Sequence, residues 1–486
     1  MNNIIIKFLS TLGYNISSDY YGYIESWKHW WENDVAKFHR YHDQNGELRY
    51  IYRLGMAKRG VEDWSSILYT ERDELICNDT NNQNYLNQQL KELKFNEIIA
   101  NNIETAFWSG TAVTVLRIKN AKLLGKQIVA DDNTKTELIT VGANQIVPLR
   151  IENGEIIDIA LTSEMQVENR KVYYIEIHKL EDKGYKINNY YIDEQGNPIE
   201  NTGVVEEYYT GSKTPLFSVL KPRILNNIEN NNGLGLSIYA NGIDQLKACD
   251  IAYNNFVKDF ELGGKKVFYN KTLVKYNVKE YTDENGKKVR QEIPVYPDDI
   301  TKQQFQVLSD EMSSVNDETL IHEYNPDLRV EENEGGINFA LNMYAFKLGM
   351  GKYYRFENGT VVTATQYIGE NRDLVANAKK HRSAVNEYTR GIARAILLVG
   401  RTLFGQNVNE NDEITLTDKD GFLIGDEELK EQYRQDFQAG LMSKKTFLMK
   451  ARGLSEEQAL AELQEINNDN PDITALANEE DNGGNE

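Results

Sequence analysis

The chain has little of several things that would narrow its chemistry. Only two cysteines, Cys77 and Cys249, stand among its 486 residues. They lie in unlike contexts, so no disulfide framework is available and a reducing compartment is expected. Proline is scarce, 8 residues against 29 tyrosines, and that balance argues against extensive disorder. No apolar run approaches the ~20 residues needed to span a bilayer, so no membrane partner is expected. The first residues, Met1–Phe8, are apolar for only three in a row and lack a charged leader and a cleavage signal, so no signal peptide is read there. Positive charge is short as well: 54 Lys/Arg face 75 Asp/Glu, a net charge of −21. A protein that coats nucleic acid by neutralising phosphate is thereby excluded, although one that lets nucleic acid pass is not.

Catalytic and ligand-binding signatures are also missing. Gly349-Met350-Gly351-Lys352 has neither the spacing nor the following hydroxyl of a phosphate cradle, and Gly233-Leu234-Gly235 lacks the third glycine of a dinucleotide fingerprint. His322-Glu323 opens like a zinc-protease helix, but position 326 is proline. Asp418, Asp420, Gly421 and Glu427 imitate part of a calcium loop whose first ligand position is Leu416. No Gly-x-Ser-x-Gly elbow occurs. His178 has no Cys or second His at metal spacing and reads as a strand-face residue. No catalytic residue, metal or cofactor is therefore assigned, and a structural role is the better default.

What is present is folded-protein material: 40% hydrophobic and 10% aromatic residues, at a length that suits two to four domains. The charge is uneven. Residues 406–486 hold 7 Lys/Arg against 20 Asp/Glu, a balance of −13, while residues 263–290 hold 8 Lys/Arg against 3 acids, a balance of +5.

The chain is organised around Ser237–Leu262. Tyr239, Ile243, Leu246, Tyr253, Val257 and Phe260 recur at helical spacing, interrupted where Asp250 takes an expected apolar position. One helix is expected there, N-capped by Ser237, stopped by Gly263-Gly264 and roughly 39 Å long. A second apolar helix is expected over Ile337–Met350, between glycines. It carries two stripes, one with Ile337, Leu341, Tyr344 and Leu348, the other with Phe339, Met343, Phe346 and Met350. So wide an apolar arc calls for burial from more than one side. Paired as an antiparallel hairpin, the two helices would carry residues 265–334 at one end.

Elsewhere, residues 20–110 read as helical, with Trp27, Trp30 and Trp31 as core or subunit contact and helices at Met56–Leu68 and Tyr85–Trp108. Residues 111–222 turn to period two. Strands are expected over Thr111–Ile118, Gln127–Ala130, Thr136–Val141, Ile156–Ser163, Lys171–Leu180 and Tyr185–Ile192, a β-rich insertion beside the helices. Lys265–Tyr276 and Val289–Val295 read as a hairpin turning at Asn285-Gly286, and Asp299–Val315 as a short helix. Lys352–Val362 reads as a polar-aromatic loop. Thr363 to Gln366 has capping-box spacing and opens a helix running to about Leu403. Its basic side, Lys379, Lys380, Arg382, Arg390, Arg394 and Arg401, is either a solvated face or a surface that meets acidic partners or neighbouring subunits. Helices at Glu427–Ala439, Lys444–Ala451 and Glu456–Ile466 precede an acidic tail, expected to be disordered. The fold class is α+β, mainly helical.

Several stretches, in order, resemble the portal proteins of tailed bacteriophages, particularly the branch found in siphophages of Gram-positive hosts. They begin with Ala57-Lys58-Arg59 and Glu62-Asp63-Trp64, then Pro215-Leu216-Phe217 and Lys221-Pro222. The resemblance continues from Asn226-Asn227 through Gly233–Tyr239 into Ile243–Lys247 and Asp250–Tyr253. Thr363–Gln366 is similar to the family's Thr-Ala-Thr-Glu, with Gln for Glu. Ile424–Asp426 and Ala439–Ser443 follow the family's pattern before its last helices. No single motif is specific; order and spacing over roughly residues 55–465 carry the resemblance.

The resemblance implies a portal-type architecture. Residues 1–236 with 353–405 would be the wing, 237–262 and 336–351 the stem helices, 263–335 the clip and 406–466 the crown, followed by the tail 467–486. It implies a homo-oligomeric ring, typically a dodecamer, at one capsid vertex of the virion. Double-stranded DNA would pass through without sequence specificity. The implied partners are the terminase packaging motor, which would supply the ATPase, a head-completion or adaptor protein, and capsid and scaffolding proteins. Assembly would take place in the host cytoplasm. Tyr353, Tyr354, Arg355, Glu357, Asn358, Gly359 and Thr360 would line the tunnel. Lys265, Lys266, Lys287, Lys288 and Arg290 would form the clip's docking surface. Ile243, Leu246, Tyr253, Val257, Phe260, Leu341 and Phe346 would pack the stem. The rival readings are a baseplate or capsid component, which would lack a central hairpin with an insertion, and an intracellular enzyme, which would need converging titratable groups.

Overall fold

The computed structural model describes residues 3–70, 72–124, 127–167, 170–199, 205–229, 232–263, 266–270, 275–282, 286–295, 304–308, 321–351, 353–354, 372–417, 426–454 and 456–469. The fold is α+β. Helices α1 (Asn3–Thr11), α2 (Asp19–Trp31) and α3 (Ala36–His39) lead to the hairpin β1 (Arg40–His42) and β2 (Leu48–Tyr50). After α4 (Met56–Thr70) and β3 (Leu75–Cys77) come α5 (Thr80–Glu92) and α6 (Phe95–Ser109). Lys94, at φ 52°, separates the last two, so the single helix expected over Tyr85–Trp108 is two. A left-handed lysine is costly, and it is held because the following helix buries Phe95, Ile99 and Ile103 in the core.

Strands β4 (Ala112–Lys119), β5 (Lys122–Leu124), β6 (Gln127–Val129), β7 (Lys135–Gly142), β8 (Ile146–Glu152), β9 (Glu155–Val167), β10 (Arg170–Glu181), β11 (Gly184–Ile192), β12 (Glu207–Tyr209) and β13 (Phe217–Leu220) follow. Two larger antiparallel sheets result, β13-β4-β7 and β12-β11-β10-β9-β8, with β5 and β6 paired as a separate hairpin. The expected strands are there at nearly the expected limits, but they are no insertion set apart from the helices. Alternation along each strand gives the five-stranded sheet two apolar faces. Ile146, Ile159, Leu161 and Ile187 join the main helical core, whereas Val147, Ala160, Ile175 and Ile177 meet Ile5, Phe8 and Leu9 of α1 in a second, smaller core.

Ahead of the hairpin helices the chain is threaded through the core. Residues 233–239 are buried without a break, and Gly235 N–H donates to Thr111 Oγ1 while Ile238 N–H donates to the carbonyl of Phe107. Gly235 faces Gly110 so closely that a β-carbon on Gly110 would stand 2.4 Å from the Gly235 carbonyl oxygen. Only glycine permits that approach. The helix α7 therefore starts at Ile243 after a short 3-10 turn and ends at Leu262, 20 residues or roughly 30 Å, instead of running from Ser237. Ser237 is not its N-cap; it is buried, and its hydroxyl bonds to the carbonyl of Phe107 at 3.3 Å.

Beyond α7, β14 (Lys266–Asn270), β15 (Lys275–Thr282), β16 (Lys288–Val295), β17 (Gln304–Leu308) and β18 (Ile321–Tyr324) make up the described part of the inserted unit. The hairpin pairs β15 with β16, not Lys265–Tyr276 as a whole. β14 stands in a separate sheet, parallel to β17 and antiparallel to β18. The helix expected over Asp299–Val315 is contradicted at 304–308, where the alternation Gln-Phe-Gln-Val-Leu forms a strand. The rest of that span lies outside the described residues.

Helix α8 spans Val330–Lys347 and passes through Gly335-Gly336, which do not delimit it as expected. Helix α9 (Arg372–Thr402) is 31 residues, roughly 46 Å, and runs through the main core with Val375, Val385, Ile392 and Ile396 buried. Its expected cap at Thr363–Gln366 lies outside the described residues. Part of its basic side is occupied by the chain itself: Arg390 Nε donates to the carbonyl of Ile414 at 3.0 Å, and Arg401 bonds the buried Glu410. Strand β19 (Ile414–Leu416) pairs with β3 and ties residues 406–417 to the main core. Helices α10 (Asp426–Gln438), α11 (Lys444–Arg452) and α12 (Glu456–Asp469) follow. The calcium-like residues 418–421 and the acidic tail beyond 469 lie outside the described residues.

One packed group on α9 gives the fold a pH dependence. His381 lies between the rings of Trp64 and Phe107, at centroid distances of 5.0 and 5.1 Å, and its Nδ1 accepts from Arg223 N–H at 3.1 Å. Burial, with a lesser push from Lys380, lowers its pKa to about 4. The unfolded chain takes up that proton near pH 6.5, so this stability is present above pH 6.5 and is lost as pH falls toward 4. Between pH 7 and pH 4.5 His381 accounts for a loss of about 2–3 kcal/mol. Urea unfolding at the two pH values measures it: His381→Gln lowers stability at pH 7 but shrinks the pH difference by that amount.

Candidate functional site: the helical hairpin

Helices α7 and α8 pack side by side and are fastened at both ends. At the end near the inserted strands, Arg329 Nη2 donates to both carboxylate oxygens of Asp259, at 2.7 and 3.0 Å, and Asn333 Nδ2 donates to Oδ2 at 2.7 Å. These bonds, the Arg329 contact foremost, hold the Asp259 carboxyl below the usual range. At the other end Tyr344 is fully buried and donates to the carbonyl of Met56. A β-carbon on Gly60 would stand 2.7 Å from Leu348 and 2.9 Å from the Tyr344 hydroxyl, so a larger residue there would displace these side chains from their seat on α4. Trp64 Nε1 donates to the carbonyl of Leu348, and Asn377 Nδ2 to that of Gly349.

The middle of α7 is held by a polar contact in an apolar setting. Val35 N–H donates to His39 Nδ1 at 3.0 Å, which leaves the ring proton on Nε2, donated to Asp250 Oδ2 at 2.9 Å. The other oxygen of Asp250 accepts from Leu54 N–H at 2.7 Å. Both side chains are almost inaccessible, so each polar atom relies on these partners. Asp250, the residue that breaks the apolar rhythm, lies on the buried face of α7 with Leu246, Cys249 and Asn254.

That register changes the assignment of the expected packing residues. Leu246 and Leu341 are buried at 2% exposure, and Ile243, Tyr253 and Val257 are half-buried. Phe260 and Phe346, by contrast, are 47% and 63% exposed, although Phe260 packs edge-on to Phe256 one turn back on the same helix, with ring centroids 4.9 Å apart. The two stripes of α8 part accordingly. Ile337, Leu341, Tyr344 and Leu348 are buried, while Phe339 at 68%, Met343 at 39% and Phe346 face outward as one apolar line; Met350, past the helix end, is buried.

The other expected site residues are only partly brought together. Tyr354 follows α8, stacks on Tyr344 with ring centroids 6.3 Å apart, and donates to Asp63 Oδ2 at 2.8 Å; Tyr353 packs edge-on to it. Burial and Asp63 push the Tyr354 hydroxyl far above its ordinary pKa. Arg355, Glu357, Asn358, Gly359 and Thr360 lie outside the described residues. Lys287, Lys288 and Arg290 are exposed together at the β15–β16 turn, with Arg290 Nε 3.8 Å from Glu280. Lys266 stands in the other sheet, on β14, and Lys265 is outside the described residues. Sequence reasoning missed His39 and the Asp259–Arg329–Asn333 clamp; the only signal was the acid at position 250 in an apolar seam.

No family model matches the chain, and no curated protein matches it. Among solved structures, a chain from the neck of a native GTA particle computed with C12 symmetry is similar at 11% identity and a TM-score of 0.38. The match covers 81% of this chain and 88% of that one. So distant a likeness carries no argument. Among the described residues no helix is long and apolar enough to cross a membrane, and no group of three or more His, Cys, Asp or Glu could hold a metal ion.

The buried polar contact gives a direct test. Asp250→Ala leaves the His39 Nε2–H and the Leu54 N–H without partners, each costing about 1–3 kcal/mol. Asp250→Asn still accepts from Leu54 and loses less. Denaturant unfolding is expected to show a loss of roughly 2–5 kcal/mol for the alanine variant and a clearly smaller one for asparagine.

Proposed function

We propose that the chain is a subunit of a phage head–tail connector, and specifically a portal protein that forms a closed ring at one capsid vertex. The observation that carries the reading is the apolar line Phe339, Met343 and Phe346 on a helix whose opposite face is already committed to its own chain. A line of this kind, on an element anchored at both ends, suits a heterologous contact repeated around an axis, which closes into a ring. The hairpin with an inserted β unit and the ordered sequence resemblance over residues 55–465 support the same reading.

In this proposal α7 and α8 are the stem, the β unit between them is the clip, and residues 352–362 enter the passage. An acidic subunit repels phosphate, so double-stranded DNA is led through without being held. The exposed cations Lys287, Lys288 and Arg290 at the clip turn offer an acidic surface of the packaging motor a place to dock, and the motor supplies the energy. Head-completion, capsid and scaffolding proteins complete the set of partners.

The exposures dictate which substitution tests assembly. An aspartate at Leu341 enters the chain's own core and unfolds it, whereas an aspartate at the exposed Phe346 leaves the monomer within about 0.5 kcal/mol. Light scattering of the wild type is expected to give rings of roughly ten to thirteen subunits, each chain contributing 55.9 kDa. Phe346→Asp is expected to give folded monomer, because each ring interface then buries an unpaired charge. Unchanged rings from that variant would contradict the interface. A second test concerns the passage. Deleting residues 357–360 is expected to leave ring assembly intact while heads fail to package or retain DNA; normally filled heads would remove that segment from the tunnel.

A further inference from the structure

Between the two β sheets lies a cleft of about 400 Å³, open to solvent, that the assembly reading does not use. Arg117 on β4 crosses it to Glu176 on β10, Nε donating to Oε2 at 2.6 Å, with side-chain exposures of 22% and 4%. The guanidinium lies 5.1 Å from the ring centroid of Tyr174. Glu176 is fully engaged, because Oε1 also bonds His178 Nε2 at 2.8 Å. Arg117 is not. Neither Nη has a hydrogen-bond partner among the described residues, and the same is true of the hydroxyls of Ser163, Tyr191 and Tyr208, which line the cleft. Burial raises the pKa of both tyrosines, so at neutral pH they offer O–H donors.

These donors reach solvent and are open to a ligand, and a guanidinium whose Nε is tied down presents its remaining edge in a fixed plane. That edge matches the two oxygens of a carboxylate, and the tyrosine rings beside it suit a flat apolar body. We propose that this cleft binds a small aromatic carboxylate, its oxygens accepting from the two Nη groups of Arg117 and from the Tyr208 hydroxyl, its ring against Tyr191.

Benzoate is the probe, titrated into the full-length protein and followed by calorimetry and ligand-observed NMR. Saturable binding is expected in the low millimolar range, with benzamide and benzylamine at least tenfold weaker. Arg117→Lys keeps the charge beside Glu176 but loses the planar edge, and is expected to weaken binding at least tenfold. Tyr208→Phe, which preserves volume, is expected to weaken it several-fold. Absence of saturable benzoate binding by the wild type, equal binding of benzamide, or an unchanged affinity in both variants would overturn the assignment.

Discussion

Tyr344 lies without solvent exposure where α8 reaches α4, its hydroxyl bonded to the carbonyl of Met56 in the space that Gly60 leaves open. The rest of the hairpin depends on that seat. With Tyr344 fixed, Leu341 and Ile337 face inward one and two turns back along the helix. Phe339, Met343 and Phe346 are then forced outward, and Tyr354 finds a ring to stack on and Asp63 to bond. A bulkier residue at position 60 would displace the Tyr344 and Leu348 side chains from that seat.

The contacts divide into two kinds with different consequences. Those between the hairpin and the main core, through Asp250, Tyr344, Leu348 and Asn377, are buried and specific, so the hairpin cannot rotate to hide its apolar line. The clamp at its other end, Arg329 to Asp259, is exposed and salt-screened, so it orders the helix ends without committing the strands beyond them. A rigid base with an outward apolar line, carrying at its far end a β unit that is basic over residues 263–290, is an arrangement suited to repetition around an axis.

Much of this was legible in the sequence, and the errors have physical causes. Period-two alternation marked the strands, because the five-stranded sheet has one apolar face for each core. The long helix α9 was equally plain from its seam. The start of α7 was misjudged because Leu234, Leu236, Ile238 and Tyr239 are apolar; they belong to the segment threaded through the core, and the Gly110–Gly235 contact that holds it is long-range. The break at Lys94 had no glycine or proline to announce it. Phe260, Leu341 and Phe346 were read together as stem packing, because apolar character alone does not separate a face buried by the chain, as at Leu341, from a face left exposed, as at Phe346. The acid at position 250 held part of the missing information: Asp250, partnered inside by His39, lies on the buried face of α7, whereas Phe260 is exposed. The cations of the inserted β unit were grouped as one surface, but Lys266 belongs to β14, whose pairings with β17 and β18 have long sequence separation and leave no local signal.

The central claim is that the outward line of α8 is covered by a neighbouring copy of the same chain in a closed ring. A cryo-electron microscopy reconstruction of the purified full-length protein tests it most directly. The account predicts an axial ring in which Phe339, Met343 and Phe346 of each subunit are buried against the next, with the β unit projecting along the axis. A ring with those three side chains in solvent, or particles that remain single chains at high concentration, would contradict it.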